Sequence, residues 1–335
     1  MRIVTTLPSA TETVAALGLE PVGVSHECDH PPRVRDLPSV TASRIDAGGE
    51  ASSAEIDRQV LDLADGDEPD AGGVYDVDVD LLESLEPDLI VTQGMCDVCA
   101  VDEGVVEAAV EAMDVDSEPD VLTTDPHGVG DVLDDLERIG RATGREERAR
   151  EVRSTLEARI EAVRSRVDGA DAGSEFDDRP RVAVIDWTDP VMIAGHWTAE
   201  LVAWAGGEYG LADVGERSRP REWAEIRDYD PEVIVVAPCG FDLEQVAANR
   251  ADLTEREGWS DLSAVRNGRA WAMDGDQYLN RPGPRLVETL EVLAPIVRPD
   301  PFDDVYDVPA DVAVPFGRLE DRTPGERMLE SETDD

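Results

Sequence analysis

Glu86-Pro87-Asp88-Leu89-Ile90-Val91 decides the fold. A proline turn leads into an unbroken apolar run, the pattern of a strand buried on both faces of a parallel sheet. Thr92-Gln93-Gly94-Met95-Cys96-Asp97-Val98-Cys99-Ala100 then reads as the loop at its end. The scheme returns in the second half of the chain. Asp230-Pro231-Glu232-Val233-Ile234-Val235 is again a proline turn entering an apolar strand, and Ala237-Pro238-Cys239-Gly240-Phe241 is again a cysteine loop. Two copies of one strand–loop–helix scheme predict two similar α/β lobes.

Outward from these strands, residues 3–7 read as the first strand and Pro8-Ser9-Ala10-Thr11-Glu12 as a helix start. Ser9 is the expected N-cap and Glu12, three residues on, completes a capping box. The helix ends at Gly18, a C′ glycine. Residues 22–24 form a second strand, followed by the loop Ser25-His26-Glu27-Cys28-Asp29-His30. From Val129 to about Val167 the apolar residues keep helical spacing, among them Val132, Leu136, Ala149, Val152, Leu156, Ile160 and Val163. Gly140 and Gly144 are candidate break points, so the stretch reads equally as one bridge or as two consecutive helices. The expected organisation is an N-terminal α/β lobe over 1–127, a bridging helix over 128–168, a C-terminal α/β lobe over 179–298, and an acidic, disordered tail over 299–335.

The chain has 335 residues, with 77 Asp+Glu against 30 Lys+Arg and a net charge of -47; it contains no lysine, so every fixed cation is Arg. Such acidity argues against nucleic acid and anionic membrane as partners, because phosphate contacts need clustered cations. The acids are spread along the whole chain, which fits a solvated surface of a halophilic kind, with self-repulsion screened by salt. No apolar run of about 18 residues is present, so no direct membrane insertion is expected. Because the first strand opens at Arg2-Ile3-Val4, with no signal peptide or lipid-anchor cysteine before it, a cytoplasmic location is expected. The alternative is the cell surface by an unrecognised route. No Ser-His-Asp set, P-loop or dinucleotide fingerprint is visible, so no enzyme activity is expected.

The order Leu7-Pro8-Ser9-Ala10-Thr11-Glu12, Pro21-Val22-Gly23-Val24-Ser25, Asp29-His30-Pro31-Pro32 and Leu85-Glu86-Pro87-Asp88-Leu89-Ile90-Val91 resembles the cobalamin and iron-siderophore binding proteins of ABC transporters. With Gln93, Cys96, Cys99, Pro238-Cys239-Gly240-Phe241 and Asn280-Arg281-Pro282-Gly283-Pro284 added, it is similar to a subgroup with a Cys-x-x-Cys motif and no export signal. The resemblance covers roughly residues 1–298. It implies two Rossmann-like α/β lobes joined by a long helix, a small-molecule ligand between them, and an ABC transporter permease as partner.

The residues themselves suggest a soft-ligand site. Cys28, Cys96, Cys99 and Cys239 lie on three loops and could form a thiolate site for zinc or an iron–sulfur cluster, or sit as a local redox pair and packed core thiols. His26 and His30 flank Cys28 and are alternative ligands. Pro8, Ser9, Gln93, Trp187, His196, Trp197, Phe241, Asn280 and Arg281 are the further ligand-binding candidates. Trp187 and Trp197 are large aromatics in expected loops, and Arg281 stands in a rigid turn suited to an anion. The expected function is a binding protein for a cobalamin or other corrinoid, a metal chelate or a metal ion. The alternative is a cytoplasmic thiol- or metal-dependent redox or corrinoid-handling protein using Cys96 and Cys99.

Overall fold

A computed structural model describes residues 1–45, 51–64, 73–95, 100–115, 117–171, 179–302 and 305–321. The chain divides into two compact units. Unit 1 comprises Met1–Ala47, Glu55–Ala162 and Arg281–Val287; unit 2 comprises Gly48–Ala54, Val163–Asn280 and Glu288–Asp335.

Unit 1 is built on β1 (Ile3–Thr5), followed by α1 (Pro8–Ala16). The hairpin strands β2 (Thr41–Ser43) and β3 (Tyr75–Val77) bracket α2 (Ser53–Ala64) and pair antiparallel. Then come α3 (Val79–Ser84), β4 (Leu89–Gln93), α4 (Glu103–Ala112) and β5 (Asp120–Thr124). Every residue of β4 is buried, as an unbroken apolar run between two covered faces requires. The sheet runs β1-β4-β5, all parallel. The expected strand at 22–24 survives only as bridges, Val4 to Gly23 and Val24 to Ser39.

The bridge expected over 128–168 is two helices, α5 (Val129–Ala142) and α6 (Glu146–Asp171). Gly144, at φ +67°, makes the turn between them. Arg153 of α6 ties back to Asp134 at 2.6 Å and Glu137 at 3.5 Å on α5, so the two pack as a hairpin. Of these two helices, α6 is the one that passes from unit 1 into unit 2. Its buried face is Ala149, Val152, Leu156, Ile160, Val163 and Val167. Gly140 permits the close approach: a Cβ there would stand 2.5 Å from that of Ala149. Gly140→Ala is therefore expected to cost about 1–3 kcal/mol by overpacking, read as a lower urea midpoint.

Unit 2 opens with β6 (Val182–Thr188), which folds back into β7 (Val191–Ile193). It continues through α7 (Thr198–Trp204), β8 (Arg219–Pro220), α8 (Trp223–Tyr229) and β9 (Val233–Val236). Short helices α9 (Leu243–Ala248), α10 (Ala251–Thr254) and α11 (Ser263–Arg266) lead to β10 (Ala270–Met273) and α12 (Leu286–Val297). The last strand is β11 (Ala313–Pro315), and the sheet order is β11-β10-β9-β6-β7-β8. β6, β9 and β10 are parallel to one another. This part of the chain corrects the expected tail. Phe302, Phe316 and Leu319 are 0%, 6% and 1% exposed, and β11 pairs antiparallel with β10. Widely spaced apolar residues within acidic sequence thus cover a sheet edge that would otherwise be open. Residues 322–335 lie outside the described residues.

Candidate functional site

In a parallel sheet the carboxyl ends of the strands and the loops after them collect at one edge. In unit 1 that edge carries the start of α1, the loop after Val24 and the segment after Gln93. In unit 2 it carries the ends of β6, β9 and β10 with their loops.

His26 is the best-defined donor on the unit 1 edge. It is exposed, its ring lies 5.7 Å from that of Tyr75, and its Nδ1 is 2.8 Å from Thr41 Oγ1. The Thr41 hydroxyl donates to Ser25 Oγ at 3.1 Å and accepts the His26 backbone N–H at 3.1 Å. With that proton on Ser25, the Thr41 oxygen is left to accept from Nδ1. The neutral imidazole therefore holds its proton on Nδ1 and its lone pair on Nε2, the form that ligates a metal. Partial burial lowers the His26 pKa, which favours this neutral form. His30, four residues on, is also exposed.

Cys28 lies between them but faces inward. It is 5% exposed, packed with Val24 and Val34, and its thiol is 3.0 Å from the Thr11 hydroxyl. Burial pushes the thiol pKa up to about 12, so it stays protonated at neutral pH and is a core residue rather than a thiolate ligand. Cys96 and Cys99 lie outside the described residues. Cys239, on the unit 2 edge, is half-buried and donates its backbone N–H to the Asp186 carbonyl at 3.0 Å. Among the described residues no group of three or more His, Cys, Asp or Glu side chains is arranged to hold a metal ion.

Several expected contacts are internal to their unit. Leu7, not Ser9, takes the N-cap position of α1, and Pro8 opens the first turn, where its fixed φ suits the helix and its missing N–H costs nothing. Ser9 is 6% exposed. Glu12 is no cap either. Its Oε1 lies 3.5 Å from Arg281 and 3.4 Å from Arg285, and all three side chains are buried. Burial, the largest influence, raises Glu12 to about 7 against the pull of the two guanidiniums. Arg281 also binds Asp29 at 2.5 Å and is 5% exposed, so it is not presented to a ligand as an open anion contact. Gln93 is 3% exposed: its Nε2 donates to Ala100 O at 3.2 Å and its Oε1 accepts from Met95 N–H at 2.6 Å. The two ends of the amide thus engage Met95 and Ala100.

In unit 2, Trp187 is half-buried at the end of β6 and packs on Phe241, ring centroids 5.1 Å apart. This pair is brought together at the carboxyl edge. Asn280 donates to Ala237 O at 3.0 Å and Gly275 O at 2.9 Å, tying two edge loops together. His196 and Trp197 do not follow a carboxyl-end loop. β7 runs antiparallel to β6, and Ala194 N–H donates to Val184 O, so the hairpin carries the chain back from the edge before His196. Trp197 is 3% exposed and donates Nε1–H to Leu279 O at 2.9 Å.

Thr41 and Asp186 escaped the sequence reading. Thr41 carried no signal, since its role depends on a hairpin remote in sequence. Asp186 did carry one, as the lone acid in the buried run Val182–Thr188. It is 8% exposed, its Oδ1 is buried without a hydrogen-bond partner, and burial raises its pKa to about 6.

The sequence profile described as periplasmic binding protein matches residues 3–276. The chain belongs to this family. An uncharacterized ABC transporter substrate-binding lipoprotein, YvrC of Bacillus subtilis, is 24% identical over 316 residues, 90% of this chain and 82% of that protein. The periplasmic heme-binding protein RhuT from Roseiflexus sp. RS-1 superposes with a TM-score of 0.64 at 23% identity, covering 90% of this chain and 98% of that one. The periplasmic vitamin B12 binding protein BtuF of Vibrio cholerae gives 0.60 at 19% identity, covering 89% and 96%. The two-lobe α/β expectation is borne out. As a periplasmic binding protein the chain is a ligand-binding protein, and the redox alternative finds no support in its relatives. The expected cytoplasmic location is overturned: these relatives are a lipoprotein and periplasmic proteins. No helix among the described residues is long and apolar enough to cross a membrane.

Proposed function

We propose that this periplasmic binding protein carries a metal-centred macrocycle, a corrinoid such as cobalamin or a haem, on the outer side of the membrane and passes it to an ABC transporter permease. His26 supplies an axial nitrogen to the metal. The observation that carries this reading is the Thr41 hydrogen bond to Nδ1, which leaves Nε2 of an exposed histidine with the lone pair. The names of the relatives, which include vitamin B12 and heme binding proteins, support the ligand class. Trp187, half-buried on Phe241, offers a flat apolar face suited to a macrocycle. A cysteine-held zinc or iron–sulfur cluster is not part of this reading, because Cys28 is a buried neutral thiol.

Titration of the purified protein with cobalamin, cobinamide and haem, followed by absorption, tests the proposal. Binding of at least one with a Kd well below about 100 μM is expected; binding of none refutes it. His26→Ala is expected to weaken binding about tenfold or more and to shift the visible bands. An unchanged spectrum would remove His26 from the metal.

A further inference from the structure

Residues Arg281–Val287 belong to unit 1, although the chain on both sides of them belongs to unit 2. Two guanidiniums hold this segment on α1 through the buried Glu12 carboxylate. The fit is close at Gly283, where a Cβ would stand 3.3 Å from Ser9 Cα and 3.2 Å from Glu12 Oε2. Arg281 then reaches past α1 to Asp29 at 2.5 Å. Asp29 is the residue before His30, in the loop that begins with His26. A second cation, Arg35, stands 3.8 Å from Asp29 but is exposed, so it holds the carboxylate weakly. The first half of the loop has ties of its own, His26 to Thr41 at 2.8 Å, the Tyr75 hydroxyl to Glu27 Oε1 at 3.3 Å, and Cys28 to Thr11 at 3.0 Å, with Cys28 N–H on Ser25 O at 3.0 Å.

We propose that Arg281 is a positioning residue for the ligand loop: held by Glu12, it clamps Asp29 and so fixes the His30 end of the loop, as Thr41 fixes the His26 end. This rests on the reading of that loop as metal-binding. A buried, partnered guanidinium has one low-energy place to be, because leaving it unpaired in a low-dielectric setting is costly. The clamp therefore adds a stiff, buried tie next to His30, as pre-organisation of a binding site requires.

The test compares Arg281→Met, Arg281→Lys, Asp29→Asn and the Met/Asn double variant in the full chain. Amide hydrogen exchange and titration with haem and cobinamide are the readouts. Arg281→Met and Asp29→Asn are each expected to speed exchange at the Cys28 amide about tenfold or more, while the amides of β4 keep their rates. Each is expected to weaken haem or cobinamide binding about tenfold. The double variant should be no worse than either single one, because both break one link, and Arg281→Lys should recover part of the loss. Should Arg281→Met fail to fold, Asp29→Asn carries the test, since it leaves the Arg281–Glu12 pair in place. Unchanged exchange at Cys28, or additive losses in the double variant, overturns the proposal. A wild-type protein that binds neither haem nor cobinamide would instead count against the ligand reading, and the exchange rates would still decide the clamp.

Discussion

Trp197→Ala is expected to lower the unfolding free energy by about 3–5 kcal/mol, the range for removing a large aromatic from a core. The side chain is 3% exposed, stacks on His196 at 5.4 Å, and opens α7. Its indole N–H satisfies the carbonyl of Leu279, a residue that is itself 0% exposed. Truncation therefore leaves both a cavity and an orphaned buried acceptor, and these losses add in the same direction. Trp187→Ala serves as the contrast. Trp187 is half-buried and its N–H bonds the carbonyl of Asp189 within its own hairpin turn, so its loss should cost well under half as much while reducing haem or cobinamide binding. Urea unfolding followed by circular dichroism, paired with haem titration, separates the two. A loss below about 1 kcal/mol for Trp197→Ala would return that residue to the binding surface.

The contrast between these tryptophans shows what sequence reveals here and what it does not. Strands β4 and β9 were legible because a strand covered on both faces must be continuously apolar. The buried face of α6 was legible because Ala149, Val152, Leu156, Ile160 and Val163 repeat at the helical period. Placement at the site failed wherever it depended on chain reversal or distant partners. The sequence places Trp187 in a loop, which hides the β6–β7 hairpin and sets His196 and Trp197 at the wrong place. Ser9 and Glu12 form a local capping pattern, but Pro8 takes the first turn, and Glu12 is bonded to Arg285, 273 residues away. No local rule carries that pairing. By its charge the stretch after residue 299 reads as a tail, although the few apolar residues within it decide its burial.

Asp186 gives the protein a pH dependence whose sign is unusual for a carboxylate. Its pKa is raised from 3.8 to about 6, chiefly by burial, and only partly offset by a hydrogen bond from Ser218. Between those two values the folded protein holds a proton that the unfolded chain has released, so unfolding becomes easier as pH rises, and the loss is complete above about 6. A shift of this size corresponds to about 3 kcal/mol. Asp135 and Glu12, also raised by burial, to about 6 and about 7, act in the same direction. These three groups therefore contribute a decline in stability from pH 4 to pH 7, opposed by Asp230, whose pKa the hydrogen bonds from Ser263 lower. Asp186→Asn should remove one part of that decline: the difference between variant and wild type should grow by about 3 kcal/mol in the variant's favour from pH 4 to pH 8. Measuring urea midpoints across this range in concentrated salt keeps the repulsion among the many surface acids screened. Parallel pH profiles for the two proteins would mean that the Asp186 carboxyl titrates normally. The unpartnered Oδ1 would then have found a proton donor, or a cation, at this position in β6.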